Sequence, residues 1–506
     1  QYPEKVCVVC AIQTKATILN QIHYFLNLVN IINMNNKIGI VWLRNDFRIL
    51  KNDALVYAAQ NHNHVCALFI FKKKDYNKRS AQLWWLYQSL KNFKKKLNQL
   101  NINLEIIEEN SYIEIFEKIK SKKNFSIYWN KVYEPSFLQF DKKLSNILKL
   151  QNINFKIFKG NLLNEVHEIK KNDNTPYKVF TPFWKIAEQC YLNKGFEKKQ
   201  KIKIREKKII FLGNSINLES ILPKNKWYLN FEKFWNPSEE TALENTKHFI
   251  ENSLSDYGEN RDIPNIEGTS KISPYLAFGQ IHIETIWEEC QKVKIKSNGY
   301  RKYINELGWR EFSHSLINYF PEMLKGNLRK DFDNFPWQEN KKHLTAWKKG
   351  VTGYPIIDAG MRELYKTGWM HNRVRMITAS FLVKHLRIHW REGETYFRDC
   401  LLDFNEANNV AGWQWVAGCG ADAAPYFRIF NPILQGERFD SLGNYVKKWI
   451  PELSDVPRKF IHKPWELDIK IKNFELGKTY PKPIVIHEEA RNAALEAFQK
   501  IKKKTI

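Results

Sequence analysis

Five short apolar runs punctuate the first third of the chain: IGIVWL at 38–43, VCALFIF at 65–71, LEIIEE at 104–109, FSIYWN at 125–130 and FKIFKG at 155–160. Between them apolar residues recur at three- and four-residue spacing, the mark of amphipathic helices. Strand then helix, repeated, predicts a parallel sheet covered on both faces, a doubly wound α/β domain over 37–160. Its first strand-to-helix turn reads RNDFRILKND and lacks the G-x-G-x-x-G of a dinucleotide site. Residues 161–230 are Lys-rich, carry Pro176 and Pro182 and show no sustained period, so a long surface connector is expected there. From 231 to 506 the strand signal vanishes while Trp, Leu and Ile keep helical spacing, which predicts an all-α domain. The first 36 residues match neither a cleavable signal nor a membrane span, because Asn, Gln and His interrupt the apolar run from Ile18 to Ile32. They are expected to be an N-terminal extension, non-native or disordered, outside the fold.

Composition narrows the field without naming a function. A chain of 506 residues exceeds what one core fills, in keeping with two domains. The formal charge of +26 draws polyanions, nucleic acid first, and argues against an acidic docking surface. A chain-wide richness in Lys, Asn and Ile competes with that reading, so function has to come from sites. The seven cysteines, at 7, 10, 66, 190, 290, 400 and 419, form no disulfide framework and suit a reducing, cytoplasmic setting. The pair CVVC at 7–10 has no second pair to complete a tetrahedral site, so no metal is expected. HExxH, Walker and GxSxG motifs are missing, which sets aside the familiar hydrolases and NTPases.

Three stretches of the helical half carry unusual chemistry. GTSKIS at 268–273 places hydroxyls, a lysine and free N–H groups at what reads as a helix start, a phosphate site or an ordinary N-cap. In WMHNRVRMITASF, Asn372, Arg375 and Met376 fall at i, i+3 and i+4, on one helical face. Such a face borders a cavity or solvent. If it is buried, Arg375 needs a carboxylate, for which Asp403 is the candidate. In NNVAGWQWVAGCGADAAPYFRIFNP, Asn409 and Trp413 share a face, whereas Trp413 and Trp415 diverge by about 200°. Packing is the default role for a tryptophan, and electron transfer to a redox cofactor is the sharper one.

Taken together, GTSKISPYLAFG, ELGWREF, GYPIIDAGMRELYKTGWMHNRVRM, HWREGE, NNVAGWQW and DAAPYFRIFNP resemble the photolyase/cryptochrome flavoproteins, specifically class I cyclobutane pyrimidine dimer photolyases. The resemblance runs from about residue 38 to the C-terminus and includes VWLRNDFR, PYKVFTPFW and YPKPIVIHEEAR. It implies an α/β antenna domain, a helical FAD-binding domain, and light-driven electron transfer from reduced FAD to a flipped-out dimer in DNA. By similarity, Tyr257, Thr269, Ser270, Lys271, Ile272 and Ser273 would hold the phosphates and ribityl chain. Arg375 and Asp403 would pair beside the isoalloxazine, with Asn409 near N5. Trp413, Trp390 and Trp337 take the positions of the electron-transfer chain. Trp309 and Trp415 match the aromatics that pack on the lesion, and Glu306, Asn372 and Met376 its polar and thioether contacts. Arg261, Arg373 and Arg428 would meet the DNA backbone. The chain departs from many relatives at Asn405, where they carry Asp against the polar edge of the flavin. A second, antenna chromophore is implied but not identified: methenyltetrahydrofolate, a deazaflavin or another flavin.

The same comparison sorts the alternatives. Plant-type blue-light receptors usually carry Asp where this chain has Asn409. The 6-4 photoproduct enzymes carry two histidines in place of Asn372 and Met376, and the DASH group usually has Gln at 376. Each favours a repair enzyme for pyrimidine dimers, which is expected to be a monomer.

Overall fold

A computed structural model describes residues 38–120, 124–195, 202, 215–423 and 427–503. The extension expected over residues 1–36 lies outside the described residues. Strands β1 (Ile38–Leu43), β2 (His64–Phe71), β3 (Asn103–Glu108), β4 (Phe125–Asn130) and β5 (Phe155–Phe158) form one parallel sheet in the order β3-β2-β1-β4-β5. Their side chains alternate between two cores, which is why the strands read as unbroken apolar runs. Ile38, Ile40 and Trp42 of β1 face α3 (Tyr112–Lys120) and α4 (Pro135–Leu150). Val41 and Leu43 face α1 (Asp53–Asn61) and α2 (Ser80–Gln99), whose core continues into the helical half.

The first strand-to-helix turn is a polar lock where a dinucleotide fold would place glycines. Arg44 donates twice to Asp141, at 2.9 and 3.2 Å, and Asn130 donates to Asp46 at 2.7 Å. Asn52 caps α1 by accepting from Leu55 N–H. The helical half docks on this domain through hydrogen bonds as well as apolar surface. The carboxylate of Glu239 accepts from the Ile49 and Leu50 N–H groups, and Ser80 donates to Asp399 at 2.6 Å.

The segment 161–230 is not a structureless connector. It contains α5 (Phe180–Lys194), with Phe180, Phe183, Trp184, Ala187 and Tyr191 buried. Those positions have the spacing of a helical stripe, which the surrounding lysines and two prolines mask. Pro182 is tolerated because it sits in the first turn, where a missing N–H costs nothing. The stripe packs on α6 (Asn298–Tyr319), where Gly308 admits the Trp184 ring into space that a Cβ would occupy. After residue 231 the described residues contain helices and two isolated bridges but no strand.

Candidate active site

A cavity of about 540 Å³ opens in the helical half, within the range of cofactor sites. Much of its wall comes from α6, α8 (Asn372–Ser380) and α10 (Glu406–Ala417). A second hollow of about 190 Å³ shares Arg375, Asp403 and Asn405 with it and adds Asn409 and Trp413. Trp415 lines the larger cavity and Trp413 the smaller, as their angular separation on α10 requires.

The i, i+3, i+4 reading of α8 holds in three dimensions: Asn372, Arg375 and Met376 all border both hollows. Arg375 donates to both oxygens of Asp403, at 3.1 and 2.8 Å, and its Nε to Met370 O at 2.7 Å. Ser273 Oγ donates to Asp403 at 2.6 Å, so the carboxylate is fully engaged. Behind α8, buried Glu363 of α7 (Pro355–Thr367) accepts from Tyr445 OH and from the N–H of His371, the N-cap residue of α8. Burial pushes the Glu363 carboxyl up to about 7.

Asn409 Nδ2 donates to Glu394 Oε1 at 3.0 Å and to Glu394 O at 3.3 Å. Both partners only accept, so the amide nitrogen must face them and Oδ1 is left for the cavity. Arg398 holds the Glu394 carboxylate at 3.0 Å. Neither residue was singled out from sequence, since Glu394 reads as one more helix-surface carboxylate yet is 1% exposed. Asn405 caps α10 by accepting from Asn408 N–H at 3.1 Å, a task that Asp performs equally well. Gly412 borders both hollows, and a Cβ there would meet nothing within 4 Å.

The stretch GTSKIS contributes unevenly. Tyr257, Ser270, Ile272 and Ser273 line the cavity, whereas Thr269 and Lys271 do not. Lys271 is paired with Glu267 at 2.6 Å and has a left-handed backbone, φ 50°. The helix expected here is a single short turn, Ser273–Ala277.

The tryptophans are held as an ordered set. Trp413 packs edge-on against Phe397 at 5.0 Å and Trp347 at 6.2 Å. Gly393 of α9 (Trp390–Cys400) abuts the Trp413 indole where a methyl would overlap it. Trp390 is fully buried and donates to Asn327 Oδ1 at 2.7 Å. His389 stands between Trp390 and Trp337, with ring centroids 5.7 and 4.9 Å away. Local pattern does not reveal that His389 and Trp347 touch these indoles.

The rim arginines are paired. Arg261 donates to Glu306 and Arg373 to Asp262, so each guanidinium has a carboxylate partner, and Glu306 shares its charge with Arg261. Half-buried arginines need such partners. Arg428 is exposed, over the Phe430 ring at 5.0 Å. Trp309 and Trp415 both line the cavity. Phe180 stacks on Trp309 at 3.9 Å, and Trp415 donates to Asp422 O at 3.0 Å. Buried Lys384 donates to Ala417 O at the end of α10, and burial holds its ammonium well below the ordinary lysine value.

Two family models match the chain: "DNA photolyase" over 39–202 and "FAD binding domain of DNA photolyase" over 303–500. A deoxyribodipyrimidine photo-lyase of Agrobacterium fabrum is 40% identical, covering 92% of this chain and 98% of its own. Cryptochrome-2 of Arabidopsis thaliana is 32% identical, over 93% and 80%. The crystal structure of a bacterial class III photolyase from Agrobacterium tumefaciens superposes with a TM-score of 0.86 at 40% identity, over 92% and 98%. Its class differs from the one the sequence motifs suggest, within the same family. Among the described residues, no helix is long and apolar enough to cross a membrane.

Proposed function

The chain belongs to the photolyase/cryptochrome family, and from that premise we propose that its cavity binds FAD deep inside and a flipped-out pyrimidine dimer at the mouth. It is a light-driven DNA repair enzyme, a carbon–carbon lyase acting on cyclobutane dimers. One observation carries the assignment of residues: the Arg375–Asp403 pair, Trp309, Trp415, Asn372 and Met376 all line a single cavity. The residues present fit a flavin. Gly412 leaves open space, Arg375 and Asp403 offer a charge-balanced polar edge, and Asn409 presents a carbonyl oxygen fixed by Glu394. Reduced FAD, when bound and excited by light, supplies the electron that splits the cyclobutane ring.

The protein's own groups do the rest. The pocket holds the lesion against two indoles, and Met376 and Asn372 line the space between lesion and polar wall. Arg261 and Arg373 act through their ion pairs at the rim, keeping Glu306 and Asp262 in place. Exposed Lys and Arg side chains supply the salt-dependent attraction to the DNA backbone.

The test is illumination of the reduced protein with thymine-dimer DNA and, separately, 6-4 photoproduct DNA. Repair of the first alone is the expected result. Repair of neither would favour a receptor, the reading supported by the cryptochrome relatives. A companion measurement addresses the tryptophans. Trp337→Phe keeps most of the apolar area and should block photoreduction of oxidised FAD while leaving dark DNA binding unchanged; a wild-type photoreduction rate would remove Trp337 from the chain.

A further inference from the structure

The turn between α7 and α8 is held from behind by one carboxyl group. Gly368, with φ 70°, closes α7, and Trp369 and Met370 line the cavity before α8 begins at Asn372. His371 fixes that beginning with three bonds. Its Nδ1 accepts from Arg373 N–H at 3.2 Å, its carbonyl accepts from Arg375 N–H at 2.9 Å, and its own N–H donates to Glu363 Oε2 at 3.2 Å. The same Glu363 oxygen accepts from Tyr445 OH at 2.6 Å. Glu363 and Tyr445 are both buried, so water is a poor substitute for either partner. Tyr445 is itself pinned, because its N–H and that of Val446 donate to the two oxygens of Asp440, at 2.9 and 3.0 Å.

The cavity residues of α8 differ in what else holds them. Arg375 is locked by both oxygens of Asp403 and by Met370 O. Asn372 is the first residue of the helix, and its amide reaches only Met376 Sδ, at 3.9 Å. A thioether is a weak acceptor, so the backbone of the first turn sets where that amide points. Arg373 on the same turn is paired with Asp262, which ties the turn at a second point. That pair does nothing for the His371 N–H, which without Glu363 is a buried donor lacking an acceptor. Such a group is costly, and a helix start shifts to satisfy it.

We propose that Glu363 is a positioning residue for the lesion contact of Asn372: together with Tyr445 it fixes where the first turn of α8 begins. This rests on the reading of Asn372 given above. The task needs an acceptor oxygen and not a charge. Burial pushes the Glu363 carboxyl up to about 7, and a proton on its other oxygen leaves Oε2 able to accept from both donors. A glutamine offers the same oxygen.

Glu363→Leu keeps the buried volume and removes the acceptor. Dark binding to thymine-dimer DNA should weaken about five- to tenfold, the effect of one hydrogen bond to the lesion. Affinity for undamaged DNA and FAD content should stay at wild-type values. Asn372→Ala should show the same loss, and adding Glu363→Leu to it should cost little more, because the two act through one contact. Glu363→Gln should bind as the wild type does. Tyr445→Phe, which spares the turn between α7 and α8, should give a smaller loss in the same direction, and it decides the matter if the leucine variant does not accumulate folded. Wild-type dimer affinity in Glu363→Leu beside weakened binding in Asn372→Ala would overturn the inference and leave the lesion site standing, as would losses that add in the double variant. Wild-type affinity in both single variants would remove Asn372 from the lesion site. A loss of dimer binding accompanied by lost FAD, or equally large in Glu363→Gln, would show a general structural role and also overturn the inference.

Discussion

Asp403→Ala is expected to purify with most of its FAD missing. The substitution strips Arg375 of two hydrogen bonds, at 3.1 and 2.8 Å, and leaves Met370 O as the remaining partner of its guanidinium. Ser273 loses its acceptor at the same time. Removing one member of a buried ion pair costs about 3–5 kcal/mol. The Arg375 side chain is 23% exposed, so the lower end applies. Much of that cost falls on the cavity wall, because a cation without its counter-charge draws water into the space the cofactor fills. An affinity loss of about 100-fold corresponds to about 2.7 kcal/mol, just under the low end of that range. The measurement is flavin absorbance per polypeptide after gel filtration, with Asp403→Asn retaining the shape and part of the hydrogen bonding. Wild-type FAD content in Asp403→Ala would remove the pair from the binding site.

That pair was legible in the sequence for a physical reason: helical spacing placed Arg375 on one face with Asn372 and Met376, and charge balance demanded a carboxylate. The sheet was equally legible, because strands buried on both faces have to be apolar throughout. Local pattern stops informing where a residue's task is set by a distant segment. Phe180 belongs to a helix hidden by prolines and lysines, and nothing nearby records that it backs Trp309. Glu394 orients Asn409 from another helix, and His389 sits between two tryptophans 53 positions apart in sequence, Trp337 and Trp390. The arginines of the rim carried a positive charge in sequence, and only the fold shows Glu306 and Asp262 already beside Arg261 and Arg373. Periodicity tells which face a segment buries; it is silent on what covers that face.

Trp309→Ala should weaken dark binding to dimer-containing DNA by about one to two orders of magnitude. Stacking of a base on an aromatic side chain is worth roughly 1–3 kcal/mol, and each 1.4 kcal/mol is tenfold. The ring is preorganised by its stack on Phe180, so little ordering cost is charged against lesion binding, which places the effect in the upper half of that range. Alanine also leaves the Phe180 ring facing the gap, and partial filling of the slot by Phe180 is the route by which some affinity would survive. Undamaged DNA is a different case, since it is held chiefly by phosphate contacts of a chain with net charge +26 and does not enter the cavity. Its affinity should change by less than about threefold, and its steep decline with salt should keep the wild-type slope. Titrating both DNAs at two salt concentrations in the dark separates the contributions. Equal loss on both DNAs would mean that Trp309 supports the backbone-binding surface, and no loss on either would mean that the lesion does not stack there.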